Sequence, residues 1–524
     1  MRKYLIPIFL LFPLFALPAD AQNNLIQLKT VIHVSSVVSE GEYTLFEIAQ
    51  EAEQCGINAV IFTDRDVMRW EYGLWPLRNV IKKRVEDKSI FTYGIRHYLQ
   101  DIEELSQEFP EIIFIAGTES APFYCWEGSS FETVSIQKRR ATYQGGEVSK
   151  TLQELQDRLK LKREDLSRSL EQAYLKMYNW HQHILAIGLD NYQDYRNLPV
   201  IGNLRGVSEG IDILSVWPLF TLIFGLWYIT KGIYFYTDHK GKHIGVTSKK
   251  TRIILALIVL VSFLFLLNNW PFRKLRFDQY HGDLGSLPYQ NYIDYVNERG
   301  GVTFWVHPEA EYILEMEGVG FVTTEYSYRL LDTKGYTGFS IFPEGYQKIG
   351  KPGGVWDTLL LDYCRGIREN PVWAIGGLAF EKGNISESMK HLQTIVLVPE
   401  KSKPAVLEAL KKGRAYVVEG KKSLDFLLEN FSVSDEAGKV KGILGDEVKI
   451  EGRPLVYIEG GFLEKQQEVE IKIIKNGEVV KTHKIEQPFR VVYHDEIITE
   501  PSYYRLEIIG RGLHLVTNPI FVFP

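Results

Sequence analysis

Residues 30–66 read TVIHVSSVVSEGEYTLFEIAQEAEQCGINAVIFTDRD, and the fold is decided in this stretch. Residues 30–34 are a β-branched run, and Ser39-Glu40-Gly41 marks a turn after it. A helix is expected from Thr44, with Leu45, Ile48, Ala49 and Ala52 on one face and Gly56 as its stop signal. Residues 59–62 have the composition of a buried strand and deliver Asp64 and Asp66 at its C-terminal end. This is a β–α–β unit, and α/β barrels carry their chemistry on polar residues at strand C-termini.

The same grammar continues on both sides of a long apolar interruption. Residues 90–109 read as a helix, and the apolar run 112–116 predicts a strand buried on both faces, ending at Gly117-Thr118-Glu119. Residues 147–178 have helical period, with a stripe of Leu152, Leu155, Leu159, Leu166 and Leu170 that packs on neighbours and carries no chemistry. His181-Gln182-His183 then opens an apolar run to Leu189. Further on, residues 289–299 predict an amphipathic helix closed by Gly300-Gly301, and residues 302–306 a strand running into His307-Pro308. A strand over 319–325, a helix over 356–368 and a strand over 372–376 lead to Gly377-Leu378-Ala379-Phe380-Glu381. A strand over 394–398 and a helix over 405–412 end at Gly413-Arg414-Ala415-Tyr416.

These motifs resemble those of the polymerase-and-histidinol-phosphatase (PHP) superfamily. Its His-x-His, Ser-Asp-Gly and Thr-Asp-His motifs correspond to His33-Val34-Ser35, Ser39-Glu40-Gly41 and Thr63-Asp64-Arg65. The Gly-x-Glu, strand-opening His and His-Pro motifs fall on Glu119, His183 (with His181 as the spare) and His307. The closing Gly-Gly-x-Asp-x-His is altered, Ala379 and Glu381 standing where the family has metal ligands. The resemblance covers roughly residues 30–420 without the apolar interruption. It implies a distorted (β/α)7 barrel and a metal-dependent phosphoesterase-type hydrolase. Of the family's three metal sites two are dismantled, by Ser35, Arg65, Ala379 and Glu381. The third is complete as Glu119, His183 and His307, and it implies one divalent metal (Zn, Mn or Fe).

Two histidines and a carboxylate suffice for a catalytic zinc with one position left for water. Arg65 at the same mouth would be a bidentate donor for a phosphate or carboxylate. Arg65, Asp64 and His33 are therefore the candidate catalytic residues, acting on a small phosphorylated or anionic substrate. The same residues admit a second reading. A guanidinium beside Glu119, Glu381 and Asp64 supplies the positive charge that lost metals once gave. The barrel is then a metal-free ligand-binding or scaffolding module. Both readings stay open at this point.

The interruption consists of two apolar segments, residues 211–236 and 252–270. Lys231, Lys240, Lys242, Lys249, Lys250 and Arg252 crowd the link between them, and Trp217, Trp227 and Trp270 lie at or near the ends. This predicts a transmembrane helical hairpin with a cytoplasmic basic loop. Arg2, Lys3, an apolar core and Ala19-Asp20-Ala21 predict a secretory signal peptide over residues 1–21, with an uncleaved anchor as the alternative. Both place the remaining chain on the periplasmic or extracellular side of the cell membrane. The expected organisation is a first barrel part (22–210), the hairpin (211–272), a second barrel part (273–424) and a small antiparallel β-sandwich (425–524). The last rests on alternation over 468–475, the hairpin turn Asn476-Gly477 and further strands over 479–485, 503–509 and 515–522. Asn518-Pro519-Ile520 resembles the end of some PHP proteins.

Composition bounds these readings. The 524 residues call for more than one folding unit, and the net charge of −6 gives no reason to expect a nucleic-acid partner. Three cysteines, Cys55, Cys125 and Cys364, are too few for a disulfide framework, so stability must come from burial.

Overall fold

The computed structural model describes residues 25–127, 175–231, 234–237, 240–241, 243–316, 318–462, 467–486 and 488–524. The expected signal peptide, and the leucine-striped helix as far as residue 174, lie outside them.

Seven strands close into a barrel: Ile26–Val34, Ala59–Phe62, Ile113–Ser120, His183–Ile187, Val302–Val306, Gly338–Phe342 and Trp373–Phe380. Each pairs with the next, and the seventh pairs back onto the first. Neighbours run parallel except around the fourth strand, which is antiparallel to both of its partners. That reversal matters, because it brings the first residue of this strand, His183, to the end where the others finish.

The helix after the first strand is Leu45–Gln54. Thr44 and Glu47 form a capping box at its start, and the chain leaves it through Gly56 at φ 67°. Leu45, Ile48, Ala49 and Ala52 are its buried face. Inside the barrel, Ile32, Ile61, Ile115, Leu185, Phe304 and Ile375 form one apolar layer. The helix Lys403–Lys411 closes the end opposite the site by adding Val406, Ala409 and Leu410 to that layer. Burying each such Val, Leu or Ile is worth about 1.5–3 kcal/mol.

Several expected elements change. The helix over 90–109 is broken into Ile90–Tyr93 and Ile95–Glu108 by Gly94, whose φ of 110° no helix accommodates. Residues Leu175–Tyr178 are a strand rather than a helix end, held between Val319–Thr323 and Cys125–Glu127. Gly338–Phe342 was not anticipated as a strand, since five residues between glycine and proline carry little periodicity. An antiparallel ribbon, Arg69–Gly73 with Lys82–Glu86, was also missed.

Two helices, Ile213–Lys231 and Lys249–Asn269, are long and apolar enough to cross a membrane, and only 11 % of each apolar window is buried in the protein. They pack as a pair, with Gly225 against Val259 and Thr221 Oγ1 2.7 Å from Ser262 Oγ. A short ribbon of Ser208–Ile211 and Arg273–Leu275 joins them to the barrel. Beyond the barrel the sheet continues through Leu392–Val398 and Ala415–Glu419 into the C-terminal strands Leu513–Thr517, Ser502–Gly510, Glu468–Lys475 and Glu478–Glu486. A second, four-stranded antiparallel sheet contains Phe426–Ser434 and Leu455–Phe462. Residues of both sheets share one apolar cluster, including Val433, Ile458, Ile471, Leu506 and Ile508.

Candidate active site

Backbone pairing sorts the polar residues at the end of the second strand. Arg65 pairs with Glu119 as an isolated parallel bridge, held by Glu119 N to Asp64 O (3.2 Å) and Asp66 N to Glu119 O (3.3 Å). Paired residues project to the same face, so Arg65 and Glu119 both enter the barrel mouth, while Asp64 and Asp66 point the other way. Asp64 accepts from Ser36 N (2.8 Å), Ser36 Oγ (2.9 Å) and Ser39 Oγ (2.6 Å), fixing the turn after the first strand. Burial holds its pKa up at about 6 against those donors. Asp66 accepts from Ser120 Oγ (2.6 Å), and its pKa is also pushed up by burial, to about 7.

Two bulges aim the remaining groups inward. The first strand pairs with its neighbours at Ile32 and again at Val34, leaving His33 as the extra residue at φ 70°. On the seventh strand the same irregularity falls at Ala379, φ 50°. Gly377 makes room for the histidine: a Cβ there would lie 2.7 Å from Ser340 Oγ and 3.4 Å from His33 Nδ1. His307 (φ 51°) and Glu344 (φ 58°) are also left-handed. Such conformations cost about 1–3 kcal/mol each. His33, His307, Glu344 and Ala379 all line one cavity of about 290 Å³, together with Arg65 and Glu381. Four of the seven positive-φ non-glycine residues among the described ones line this cavity. A larger open groove beside Cys364 and Arg365 has no comparable cluster among the described residues.

Glu119 is the centre of the cavity floor. His33 Nε2 lies 3.3 Å from its Oε2, Arg65 Nε 3.5 Å from the same oxygen, and His183 Nδ1 2.6 Å from Oε1. Burial would raise this carboxyl, but Arg65 and then His183 and His33 outweigh it and hold it well below the usual range. Arg65 is buried, and its Nε also donates to Glu40 Oε2 at 2.8 Å. Burial alone would lower its pKa, yet Glu119 and Glu40 more than offset that and keep the guanidinium charged.

Arg65 Nη1 lies 2.7 Å from His183 Nε2. A guanidinium only donates, so that ring nitrogen must accept and the proton sits on Nδ1, facing Glu119. His183 is correspondingly neutral, its pKa lowered to about 4 by burial and then by Arg65. The same Nε2 thus faces Arg65, with Trp180 O also 3.3 Å away.

Among the described residues, His33, Glu119 and His307 form a cluster that could hold a metal ion, their donor atoms within 4.8 Å of one another. The fit is supported by the histidines: His33 Nδ1 and His307 Nδ1 find no aligned hydrogen-bond partner among the described residues, whereas Glu119 Oε1 is met by His183 Nδ1 at 2.6 Å. His307 Nδ1 does lie 3.2 Å from Glu344 Oε2, a contact that draws the Glu344 carboxyl below its ordinary pKa. Glu381, which burial and Glu40 push upward, adds a further carboxylate to the rim. His181, Trp180 and Tyr312 form the aromatic wall, with the Trp180 and Tyr312 rings 5.2 Å apart and edge-on.

Glu40 as the partner of Arg65 and Glu344 as the partner of His307 were not read from the sequence. An arginine standing at a ligand position signals that an extra carboxylate must be near, and Glu40 is the motif residue that varies beside it.

No family model and no curated protein matches the chain. Solved structures similar to it include a two-domain protein from Bacteroides vulgatus, described as containing a predicted PHP-like metal-dependent phosphoesterase. The identity is 10 % and the TM-score 0.33, over 94 % of this chain and 96 % of that one. Another is described as a candidate metal-dependent phosphoesterase from Bifidobacterium adolescentis, at 14 % identity and TM-score 0.26, over 67 % of this chain and 87 % of that one. At such scores the functional reading rests on the geometry of the site itself.

Proposed function

We propose that the chain is a membrane-tethered, exported hydrolase of the phosphoesterase type, acting on a small phosphorylated or otherwise anionic substrate with one divalent metal. The observation that carries this reading is the His33–Glu119–His307 cluster at the floor of the cavity, its donor atoms within 4.8 Å of one another. His33 takes the ligand role that the motif order suggested for His183. Zinc, manganese or iron held there would acidify a bound water and polarise a phosphoryl oxygen. The chain's own residues do the rest. Glu119 ties the histidines to Arg65, and neutral His183 fixes the guanidinium by accepting from Nη1. Arg65 presents positive charge to an anionic group, which competes with Glu40 for it. Asp64 holds the Ser36–Ser39 turn that carries Glu40 into the mouth. Among the described residues, the rim carboxylates Glu40, Glu344 and Glu381 outnumber the guanidinium of Arg65, which favours uptake of a cation.

The domain organisation belongs to the same proposal. Residues 22–210 and 273–424 make one barrel interrupted by a membrane hairpin at 211–272, and residues 425–524 contribute a β-sandwich. The basic link between the spans lies in the cytoplasm by the positive-inside rule, and the barrel on the opposite, exported side.

A second reading has its own observation: Arg65 already neutralises Glu119, as a metal would. On that reading the barrel binds an anion without turning it over. The test is hydrolysis of aryl phosphomonoesters and phosphodiesters by the full-length chain in detergent, with zinc, manganese or ferrous iron added in turn. Metal-dependent turnover that Glu119→Ala reduces about 100-fold or more supports hydrolysis. Saturable phosphate binding with no turnover under any metal favours the binding module.

A further inference from the structure

The ribbon Arg69–Gly73/Lys82–Glu86 ends in residues 74–81, Leu-Trp-Pro-Leu-Arg-Asn-Val-Ile, an unusual sequence for a tip in water. Trp75 is 67 % exposed, Leu74 51 %, Ile81 49 % and Val80 40 %. These side chains are held out by a firmly built base. Glu71 O accepts from Trp126 Nε1 (3.0 Å) and Gln279 Nε2 (3.1 Å), and Gly73 N donates to Tyr280 Oη (2.7 Å).

The position of the tip is set by the second apolar helix. Asn79 N donates to Asn268 Oδ1 (2.8 Å), and Asn79 Nδ2 donates to Asn268 O (2.7 Å). Asn268 is in the last turn of Lys249–Asn269, a helix of 21 residues. At 1.5 Å per residue such a helix is about 31 Å long, the thickness of a bilayer's hydrocarbon core. Its two ends therefore mark the two membrane surfaces, and Asn79 is bonded to the end nearer the barrel. Trp270, Ile211, Ile213 and Leu214 are exposed at that same level.

We infer that residues 74–81 are a third membrane contact: the loop lies in the headgroup region of the barrel-side leaflet, with Leu74, Trp75, Val80 and Ile81 facing the acyl boundary. The inference rests on the reading of the two helices as spans. Tryptophan is the side chain suited to that depth, its ring apolar and its N–H able to face water. The occupant is lipid, because the loop is continuous with a surface that already faces lipid. The contact also fixes the site. Trp70 of the ribbon meets Phe321 (5.9 Å), and Phe321 meets Trp180 (5.5 Å) on the cavity rim. Seating the loop thus sets the height of the rim above the bilayer.

The test uses the full chain in nanodiscs, with single cysteines labelled by an environment-sensitive fluorophore. The native thiols are buried, and unsubstituted protein gives the labelling blank. W75C and I81C report the loop, V261C reports the span and E408C the opposite end of the barrel. Interfacial segments sit about 5–10 Å into the boundary, so W75C and I81C should each lose about half their signal to lipids carrying a doxyl group at carbon 5, and less to carbon 12. V261C should be quenched most at carbon 12, and E408C by neither. W75C removes an anchor, so I81C decides if the two differ. If V261C is quenched while I81C responds only to aqueous iodide, the loop is in water and the inference is overturned. If I81C is shielded from both lipid and iodide, protein covers it and the inference is equally overturned. If V261C itself escapes lipid quenching, the spanning reading fails and takes this one with it.

Discussion

Two buried arginine–carboxylate pairs stand about one barrel apart in role. Where the barrel meets the C-terminal strands, Arg505 donates through Nε (2.8 Å) and Nη2 (2.7 Å) to the two oxygens of Asp357. Tyr503 Oη (2.7 Å) and Gly353 N (2.8 Å) donate to the same carboxylate, and Trp356 covers the guanidinium face at 4.8 Å. At the mouth, Arg65 approaches Glu119 only to 3.5 Å and divides its donors between Glu40 and His183. The ring nitrogens His33 Nδ1, His181 Nδ1 and His307 Nδ1 around it stay without aligned partners. The first carboxylate is saturated by four donors, although Arg505 Nη1 is itself without a partner among the described residues. The second is shared among Arg65, His183 and His33, and no one partner holds both of its oxygens.

The largest effect should come from breaking the saturated pair. Asp357→Ala leaves Arg505 buried without its counter-charge, a change that typically costs about 3–5 kcal/mol. Thermal melting in detergent should show a large fall that added metal does not reverse. At the mouth, Arg65→Ala should cost less, about 1–3 kcal/mol, because Glu40 is partly exposed and the histidines still face Glu119. Removing the guanidinium also removes a rival cation, so added zinc or manganese should recover stability in Arg65→Ala and not in Asp357→Ala. Equal rescue of both, or of neither, would erase the distinction between a closed pair and an open one.

A smaller effect concerns Glu507, buried between the barrel and the C-terminal strands. Its oxygens meet His514 Nε2 and Lys472 Nζ, and also Tyr346 of the barrel. Burial would raise this carboxyl, but those donors draw it down to about 2. A depressed folded-state pKa gives stability that is complete above the unfolded value of about 4.5 and is lost as pH falls from there toward 2. Wild-type stability should therefore fall below pH 4.5 with a slope approaching about 1.4 kcal/mol per pH unit from this group, and Glu507→Gln should flatten that part of the curve.

Much of the barrel was legible in the sequence because its strands are continuous apolar runs that end in polar residues. Residues 59–62 and 112–116 announce buried strands, and Glu119 follows as the residue at the mouth. The reversed fourth strand was not legible, since apolar runs carry no sign of direction. Gly338–Phe342 was too short to show a period. At the site, motif order named residues such as His33, Arg65, Glu119 and His307 that the fold gathers at one mouth, but could not say which nitrogen faces which neighbour. That depends on a bulge at His33 and on Arg65 reaching His183, both set by tertiary packing. The sides taken by Asp64 and Arg65 follow from strand alternation, but only once the bridge between Arg65 and Glu119 is known.

The central claim is that the mouth holds one divalent ion through His33, Glu119 and His307. The most direct test is metal content by mass spectrometry of the full-length chain, loaded with zinc, manganese or iron and then desalted. About one ion per chain is expected, in an open three-ligand site with a position left for water. That ion should be lost in His33→Ala, Glu119→Ala and His307→Ala, and retained in His183→Ala. Absence of bound metal from the loaded wild type, or loss in His183→Ala with retention in His33→Ala, would contradict the claim.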